Sequence, residues 1–350
     1  MTRRPKHVHL VGSIPLPSTK ETFSRLATTL SGRLLRIPDG EPAKRGNFTF
    51  FQSAVFDDYP AILSRPPPTY DPTLEASKSF PRPIKLNPIM YDDFALDSYR
   101  QFCEARAQGI IPPGIRFQVS LPTIFSVIIN RILPAYHAEV EPVYEVAMLS
   151  ALRRIQDNIP AQDLAIQWDV AVEFAALELI GIGREMPARY PFANTPRPWF
   201  FPLKEGLVER IVKLANAVDH GVELGFHLCY GDAGHVHFIE PTDSAVLVEM
   251  ANAISQGVKR DVNWIHMPVP KDRVDEAYYA PLKELQLRKE TELFLGLVHG
   301  GDLEGTWKRI EMAEKVVEGF GVATECGMGR TAKGEFDSAL EILAAVTAKS

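Results

Sequence analysis

The sequence predicts an α/β fold, a single (β/α)8 TIM barrel over residues 1–350 with proline-rich insertions, and three observations predict it. Eight short β-rich runs recur along the chain, most of them separated by stretches of helical period. Polar side chains collect at the C-terminal ends of these runs while the run interiors stay apolar, and in such a barrel that end carries the chemistry. No G-x-G-x-x-G or P-loop follows any run, so the alternative of a doubly wound nucleotide-binding sheet lacks its signature.

The first run is His7–Val11, and Ser18 with Glu21 three residues on forms a capping box that starts a helix. Leu34–Ile37 is the second run and ends in Pro38-Asp39-Gly40-Glu41. A proline-rich insertion at about 42–90 follows, carrying Pro66-Pro67-Pro68, and long segments of this kind serve as lids or interaction surfaces. A helix is expected over about 91–107, then the third run, Ile115–Leu121, then helical patterns through 123–158. Leu164–Asp169 is the fourth run. A second insertion at about 187–202 carries Trp199-Phe200-Phe201, which point to a larger or more apolar substrate, and precedes a helix at about 203–218. The fifth run is Glu223–Cys229, followed by a helix at about 243–256. Val262–His266, Leu293–His299 and Gly321–Cys326 complete the set, and a last helix covers about 338–348.

Composition narrows the function classes. With 45% hydrophobic and 23% charged residues the chain is ordinary globular material, which excludes disorder, collagen or a coiled coil over its whole length. Thirty-eight basic residues against 44 acidic ones give a net charge of −6, which argues against nucleic acid as a partner. No apolar run approaches the roughly 18–20 residues of a membrane helix, and the basic start Met1–Lys6 leads into only a short apolar stretch broken by Gly12 and two prolines. No membrane partner and a cytoplasmic location are therefore expected. Three cysteines cannot build a disulfide framework and suit a reducing compartment. The expected partner is a small molecule; the oligomeric state stays open.

His227-Leu228-Cys229 is the sharpest feature. Side chains alternate on a strand, so His227 and Cys229 share the face toward the barrel axis. Imidazole and thiolate suit zinc, and Cys326 at the end of the eighth run is a third donor across the mouth. Three protein ligands leave one position open, the pattern of a catalytic site. The plain alternative is buried cysteine acting as a small hydrophobe. His235 and His237 are expected in a surface loop, and His7 and His9 in structural roles. His299, before Gly300-Gly301-Asp302, is either a ligand contact or part of a turn with Asp302 capping a helix. Asp169 is either a cap or a site residue, and Glu173 follows it. Asp39 and Glu41 form a strand-end carboxylate pair suited to a substrate amine.

These residues resemble the cobalamin-independent methionine synthase family. The resemblance lies in Val11-Gly12-Ser13-Ile14-Pro15, in Ile166-Gln167-Trp168-Asp169, in His227-Leu228-Cys229 and in Thr324-Glu325-Cys326-Gly327-Met328-Gly329-Arg330, which occur in the family's order. It covers the whole chain but only one barrel, similar to the catalytic C-terminal barrel of the two-barrel members. It implies that zinc is the cofactor, that His227, Cys229 and Cys326 are its ligands, and that the zinc holds a substrate thiol as thiolate for attack on an alkyl donor. It also implies that Ser13 and Asp169 lie where the family holds the amino-acid part of homocysteine. The sequence departs from the family in two places. The family's fourth ligand is a glutamate ending the next strand, where this chain has Ile265-His266-Met267-Pro268, so His266 is the nearest candidate. The family's I-D-E-P run is replaced by Asp169-Val170-Ala171-Val172-Glu173, which puts folate and homocysteine recognition in question.

Four functional readings follow. The first is a zinc-dependent transferase alkylating a thiol, methyl transfer foremost. The second is a zinc-dependent lyase or hydrolase using metal-bound water, with Asp169, Glu173 or His299 as general acid and base. The third is a zinc-free decarboxylase-like enzyme holding carboxylates with Arg36 and Arg116. The fourth is a non-catalytic zinc-binding barrel, which a closed site including His266 favours.

Overall fold

Eight parallel strands form where the sequence places its β-rich runs: β1 Val8–His9, β2 Arg36–Pro38, β3 Arg116–Pro122, β4 Leu164–Val170, β5 Glu223–Leu228, β6 Trp264–Pro268, β7 Glu292–Val298 and β8 Gly321–Thr324. The computed structural model describes residues 5–47, 49–65, 83–183, 197–233 and 236–347, with only the backbone of Ala233 and Val236. Hydrogen bonding runs β1-β8-β7-β6-β5-β4-β3-β2 around one sheet. Parallel bridges Val8–Leu34 and Ser13–Gly40 join the two ends, and Ile14 N–H donates to the Gly40 carbonyl at 2.9 Å. The barrel is thereby closed, in the order the alternation of runs and helices predicts.

Helices pack outside: α1 Thr19–Thr29, α2 Tyr91–Ala107, α3 His137–Asn158, α4 Leu203–Asn216, α5 Ala245–Gly257, α6 Leu303–Glu314 and α7 Lys333–Val346. Ser18 caps α1 by accepting from Glu21 N–H at 3.3 Å, as its capping box predicts. The helical patterns through 123–158 form two helices, Ile124–Ile128 and α3, parted by a turn that Pro134 opens at Pro134–Tyr136. β1 is shorter than its run because the carbonyls of Leu10 and Val11 accept from the Gln118 side chain, at 2.9 and 3.1 Å, instead of extending a ladder. Among the described residues no helix is long and apolar enough to cross a membrane.

The main hydrophobic core lies between strands and helices, and a small second cluster, Ala165, Trp264 and Phe294, fills the inside of the barrel. Below it an ion network seals the N-terminal end: Arg36 pairs with Glu223 at 2.5 Å, Arg116 with Glu223 at 3.1 Å and His7 with Glu292 at 3.0 Å. Arg36 also lies over the Trp264 ring at 4.1 Å. Arg36 and Arg116 open their strands and so sit at the end of the barrel opposite the strand-end polar residues. The decarboxylase-like reading that relied on them loses its carboxylate holders.

The first insertion is described except for Phe48 and 66–82, which include Pro66-Pro67-Pro68. Short turns at Ala43–Asn47, Phe50–Phe56 and Pro60–Ile62 lead to an antiparallel bridge between Leu63 and Ile132. Of the second insertion, 187–196 lie outside the described residues. Its aromatic group is structural. Trp199 stacks on Phe125 at 5.5 Å and donates to Glu141 at 2.5 Å, and Phe200 lies under Arg210 at 3.6 Å. The expectation that Trp199, Phe200 and Phe201 mark a larger or more apolar substrate is corrected: none of them lines the cavity, the first two are used against the outer helices, and Phe201 faces solvent.

Inside the barrel Gly225 faces the Trp264 ring so closely that a Cβ there lies 2.0 Å from it. Trp264 is fully buried and pinned by Arg36, so it has nowhere to move. Gly225→Ala is expected to lower stability by about 1–3 kcal/mol through overpacking, read as a lower urea midpoint at unchanged slope. An unchanged midpoint contradicts this packing.

Candidate active site

Parallel register sets three polar residues in one row at the C-terminal mouth. Asp169 on β4 is opposite His227 on β5, and His227 is opposite His266 on β6. Cys229 lies one residue beyond β5, its N–H still bonded to the Val170 carbonyl at 2.8 Å, so it keeps the inward face it shares with His227. Cys326 follows β8 and comes in from across the barrel. Its sulfur is 3.7 Å from that of Cys229 and 3.6 Å from Nε2 of His227. The three donor atoms all lie within 4.8 Å of one another.

The hydrogen bonds around the two histidines fix which nitrogen carries the proton. His266 Nε2 faces the Thr324 carbonyl at 3.1 Å and must donate there. Burial holds the His266 pKa down at about 3, so the ring is neutral and its Nδ1 is an acceptor. His227 Nδ1 is 2.7 Å from that Nδ1 and therefore donates. His227 is also kept neutral, first by burial and then by His266, so its Nε2 is a bare lone pair directed at Cys326. His266, expected as the fourth ligand, is thus placed behind His227, with both nitrogens occupied, and is not part of the trio. Cys229 has its thiol pushed up, first by the hydrogen bond with Cys326 and then by burial.

The trio opens into a cavity of about 280 Å³ whose walls include Ser13, Glu41 and Asp169. Asp169 is 8% exposed and accepts from Gln167 Nε2 at 2.8 Å. The same Gln167 binds His9 at 2.8 Å and the Val11 carbonyl at 2.6 Å, so Asp169 is anchored to the barrel interior. Burial and then the Glu41 charge push the Asp169 pKa well up. Glu41 is itself raised to about 8, chiefly by burial. Its backbone is left-handed, φ 50°, a strained state for a non-glycine residue, and Asp39 pins it by accepting the Glu41 N–H at 2.9 Å. Gly12 lets the Glu41 carboxyl pass, since a Cβ there would lie 2.5 Å from Oε1. Ser13 accepts from Gly329 N–H at 3.1 Å, which ties the first strand's end to the loop after Cys326.

Other expected site residues lie elsewhere. Asp39 does not line the cavity; beyond Glu41 it binds Arg45 at 2.7 Å and Ser98 at 2.6 Å, and so holds the turn that presents Glu41. Glu173 is fully buried and does not line the cavity itself; it accepts from the hydroxyls of Thr123 and Ser126, the latter at 2.8 Å, and so stands behind Ser126, which does line it. His299 also stands outside the lining, its Nε2 3.0 Å from the Val269 carbonyl, while Asp302 caps α6 by accepting from Gly305 N–H at 3.0 Å. His237 is not a free surface histidine: it sits in a small hairpin, Asp232–Ala233 with Val236–His237, and pairs with Glu325 at 3.1 Å and Glu240 at 3.0 Å. His235 lies outside the described residues.

The sequence reading missed the basic wall of the cavity. Arg65, Arg131 and Arg330 line it, together with Asp232, which pairs with Arg330 at 2.6 Å. Arg330 belongs to a segment noted for its family resemblance; Arg131 sits in a helical-looking stretch with no local signal.

No protein-family model and no curated protein matches the sequence. Solved structures do. A provisionally assigned vitamin-B12-independent methionine synthase from Listeria monocytogenes superposes with a TM-score of 0.52 at 14% identity, over 98% of each chain. A B12-independent methionine synthase from Shewanella sp. W3-18-1, in complex with selenomethionine, gives 0.48 at 14% identity over 75% of this chain and 67% of its own. At such identity the likeness is one of fold.

The raised Glu41 pKa makes a signed prediction. The folded state keeps a proton that the unfolded chain gives up near the ordinary carboxylate range, so stability falls as pH rises from there to about 8. The melting temperature of the wild type is expected to drop between pH 5 and pH 8.5 by a few degrees more than that of Glu41→Gln. Equal drops contradict the assignment.

Proposed function

We propose that this chain is a zinc-dependent transferase that holds a substrate thiol as thiolate for alkyl transfer, methyl transfer foremost, with His227, Cys229 and Cys326 as the ligands. The observation that carries this reading is the donor set. A tetrahedral zinc with Zn–S near 2.3 Å and Zn–N near 2.0 Å sets two sulfurs about 3.8 Å apart and sulfur and nitrogen about 3.5 Å apart. Here Cys229 and Cys326 are 3.7 Å apart, and Cys326 and His227 3.6 Å. Two sulfurs and an imidazole are also the donors that zinc prefers. Three protein donors facing an open cavity suit a catalytic ion better than a closed structural one. His266 cannot close the site while Thr324 and His227 occupy its nitrogens.

When bound, zinc stabilises a substrate sulfur as thiolate, the nucleophilic form, at neutral pH. The chain's own residues supply the rest. His266 accepts the Nδ1 proton of His227 and so keeps His227 Nε2 free as a donor. Asp169 and Glu41, with raised pKa values, hold protons beside the trio and can exchange them with a substrate amine or thiol. Ser13 presents its hydroxyl to the same space. Apolar walls at Val11, Val172 and Phe238 keep water from the reacting atoms. The fold likeness to a barrel assigned as a methionine synthase agrees with this reading without carrying it.

A zinc-dependent lyase or hydrolase on the same barrel is the second reading. The observation that favours it is Asp169, a carboxyl held protonated by burial next to the ligands, as a general acid requires. It differs from the first in needing no thiol.

Two sets of variants test the site. The purified protein is expected to carry about one zinc per chain, and Cys229→Ser and Cys326→Ser to lose it with unchanged far-UV circular dichroism. Full zinc in both variants overturns the ligand assignment. His266→Phe removes the acceptor behind His227 and is expected to weaken zinc binding about 10- to 100-fold, measured by chelator competition. Unchanged affinity would mean that His227 needs no such support.

A further inference from the structure

Part of the cavity wall is built by the first insertion, with Asn47, Thr49, Phe50 and Arg65, and by Asn130 and Arg131, which follow the short helix after β3. The insertion fixes Arg131 in place. Ser64 N–H donates to the Arg131 carbonyl at 2.7 Å, the Leu63–Ile132 bridge flanks it, and its guanidinium lies over the Phe50 ring at 5.1 Å. Arg131 is only 9% exposed, and its Nε–H is buried without an acceptor. Among the described residues no carboxylate pairs with it.

Among the described residues the other fully buried arginines are satisfied, and half-buried Arg106, outside the cavity, has an idle Nε–H but pairs with Asp163 at 2.9 Å. Arg36 pairs with Glu223. Arg309 donates to the Leu297 carbonyl and Asp302, both within 2.9 Å. Arg260 donates to backbone carbonyls, that of Val218 at 2.7 Å among them. In the same cavity Arg330, though paired with Asp232, also has a buried Nε–H without an acceptor. A guanidinium buried with an idle donor is disfavoured unless something else brings the acceptor. The Arg131 Nε–H is sealed from the cavity, but the terminal Nη groups of Arg131 make no hydrogen bond or ion pair among the described residues, and it is these that can meet an acceptor on a ligand in the cavity.

We infer that Arg131 is an anion-recognition residue, and that the substrate carries an anionic oxygen group, a carboxylate foremost, at the end away from the atom that meets the metal trio. The planar guanidinium matches a carboxylate or sulfonate through paired N–H donors. A cavity of about 280 Å³ limits the ligand to a small one. Naming the substrate a thiol acid rests on the thiolate reading above; the anion subsite itself does not. The first proline-rich insertion then has a function as the wall that selects the substrate.

The test is isothermal titration of the zinc-loaded protein with 3-mercaptopropionate, 2-mercaptoethanesulfonate, 3-mercapto-1-propanol and thiol-free glutarate. The expected result is that the wild type binds 3-mercaptopropionate about 10- to 100-fold more tightly than the alcohol. Arg131→Gln is expected to erase that preference, with zinc content and binding of the alcohol unchanged, and Arg131→Lys to keep part of it. Tighter binding of the sulfonate than of the carboxylate keeps the subsite and changes the anion. Equal binding of acid and alcohol by the wild type, or an acid preference that survives Arg131→Gln, overturns the inference. If Arg131→Gln does not fold, Arg131→Lys decides: a several-fold loss for the acid alone supports the subsite, and no selective loss refutes it. If the thiols bind no better than glutarate while glutarate binding still depends on Arg131, the subsite stands and the thiolate reading falls.

Discussion

Three neighbouring strands hold Asp169, His227 and His266 in one row because their parallel register allows no other pairing, and the mouth of the barrel depends on that row. A slip of one residue on β5 would turn His227 and Cys229 outward together. Within the row, the Thr324 carbonyl orients His266, His266 orients His227, and His227 is left with a lone pair facing the sulfurs. Backbone geometry thus sets a tautomer, and the tautomer decides whether an imidazole can act as a ligand.

A polar barrel interior is the consequence of serving this row. Gln167 stands at its centre, accepting from His9 and Trp264 and donating to Val11, Ser120 and Asp169. Trp264 can only donate, so the orientation of the Gln167 amide follows from it. Because these buried groups satisfy one another, the interior needs only a small apolar plug, Ala165, Trp264 and Phe294, and most apolar burial lies between strands and helices.

The strand-end residues were legible because strand periodicity is local: His227, Cys229, Asp169 and Cys326 needed only the alternation rule and the barrel's polarity. His266 stands out at its strand end, but the choice between ligand and support depends on where the Thr324 carbonyl points, a long-range fact. Glu173 and His299 looked like acid–base candidates by position, yet their hydrogen bonds lie with Thr123, Ser126 and Val269. Asp39 and Glu41, a pair in sequence, divide into a support and a cavity residue because a left-handed turn separates their side chains. Arg131 left no mark in the sequence: its meaning comes from the insertion that packs on it, some 70 residues away. The aromatic triplet at 199–201 misled for the opposite reason, since only the folded helices show that Phe125, Glu141 and Arg210 engage it.

An ion held by His227, Cys229 and Cys326 would have one position left for a substrate sulfur. Zinc K-edge X-ray absorption of the purified protein, before and after addition of 3-mercaptopropionate, tests it most directly. The expected result is two sulfurs at about 2.3 Å with lighter donors at about 2.0 Å, becoming three sulfurs when the thiol is present. A coordination sphere with two sulfurs that the thiol leaves unchanged would contradict it.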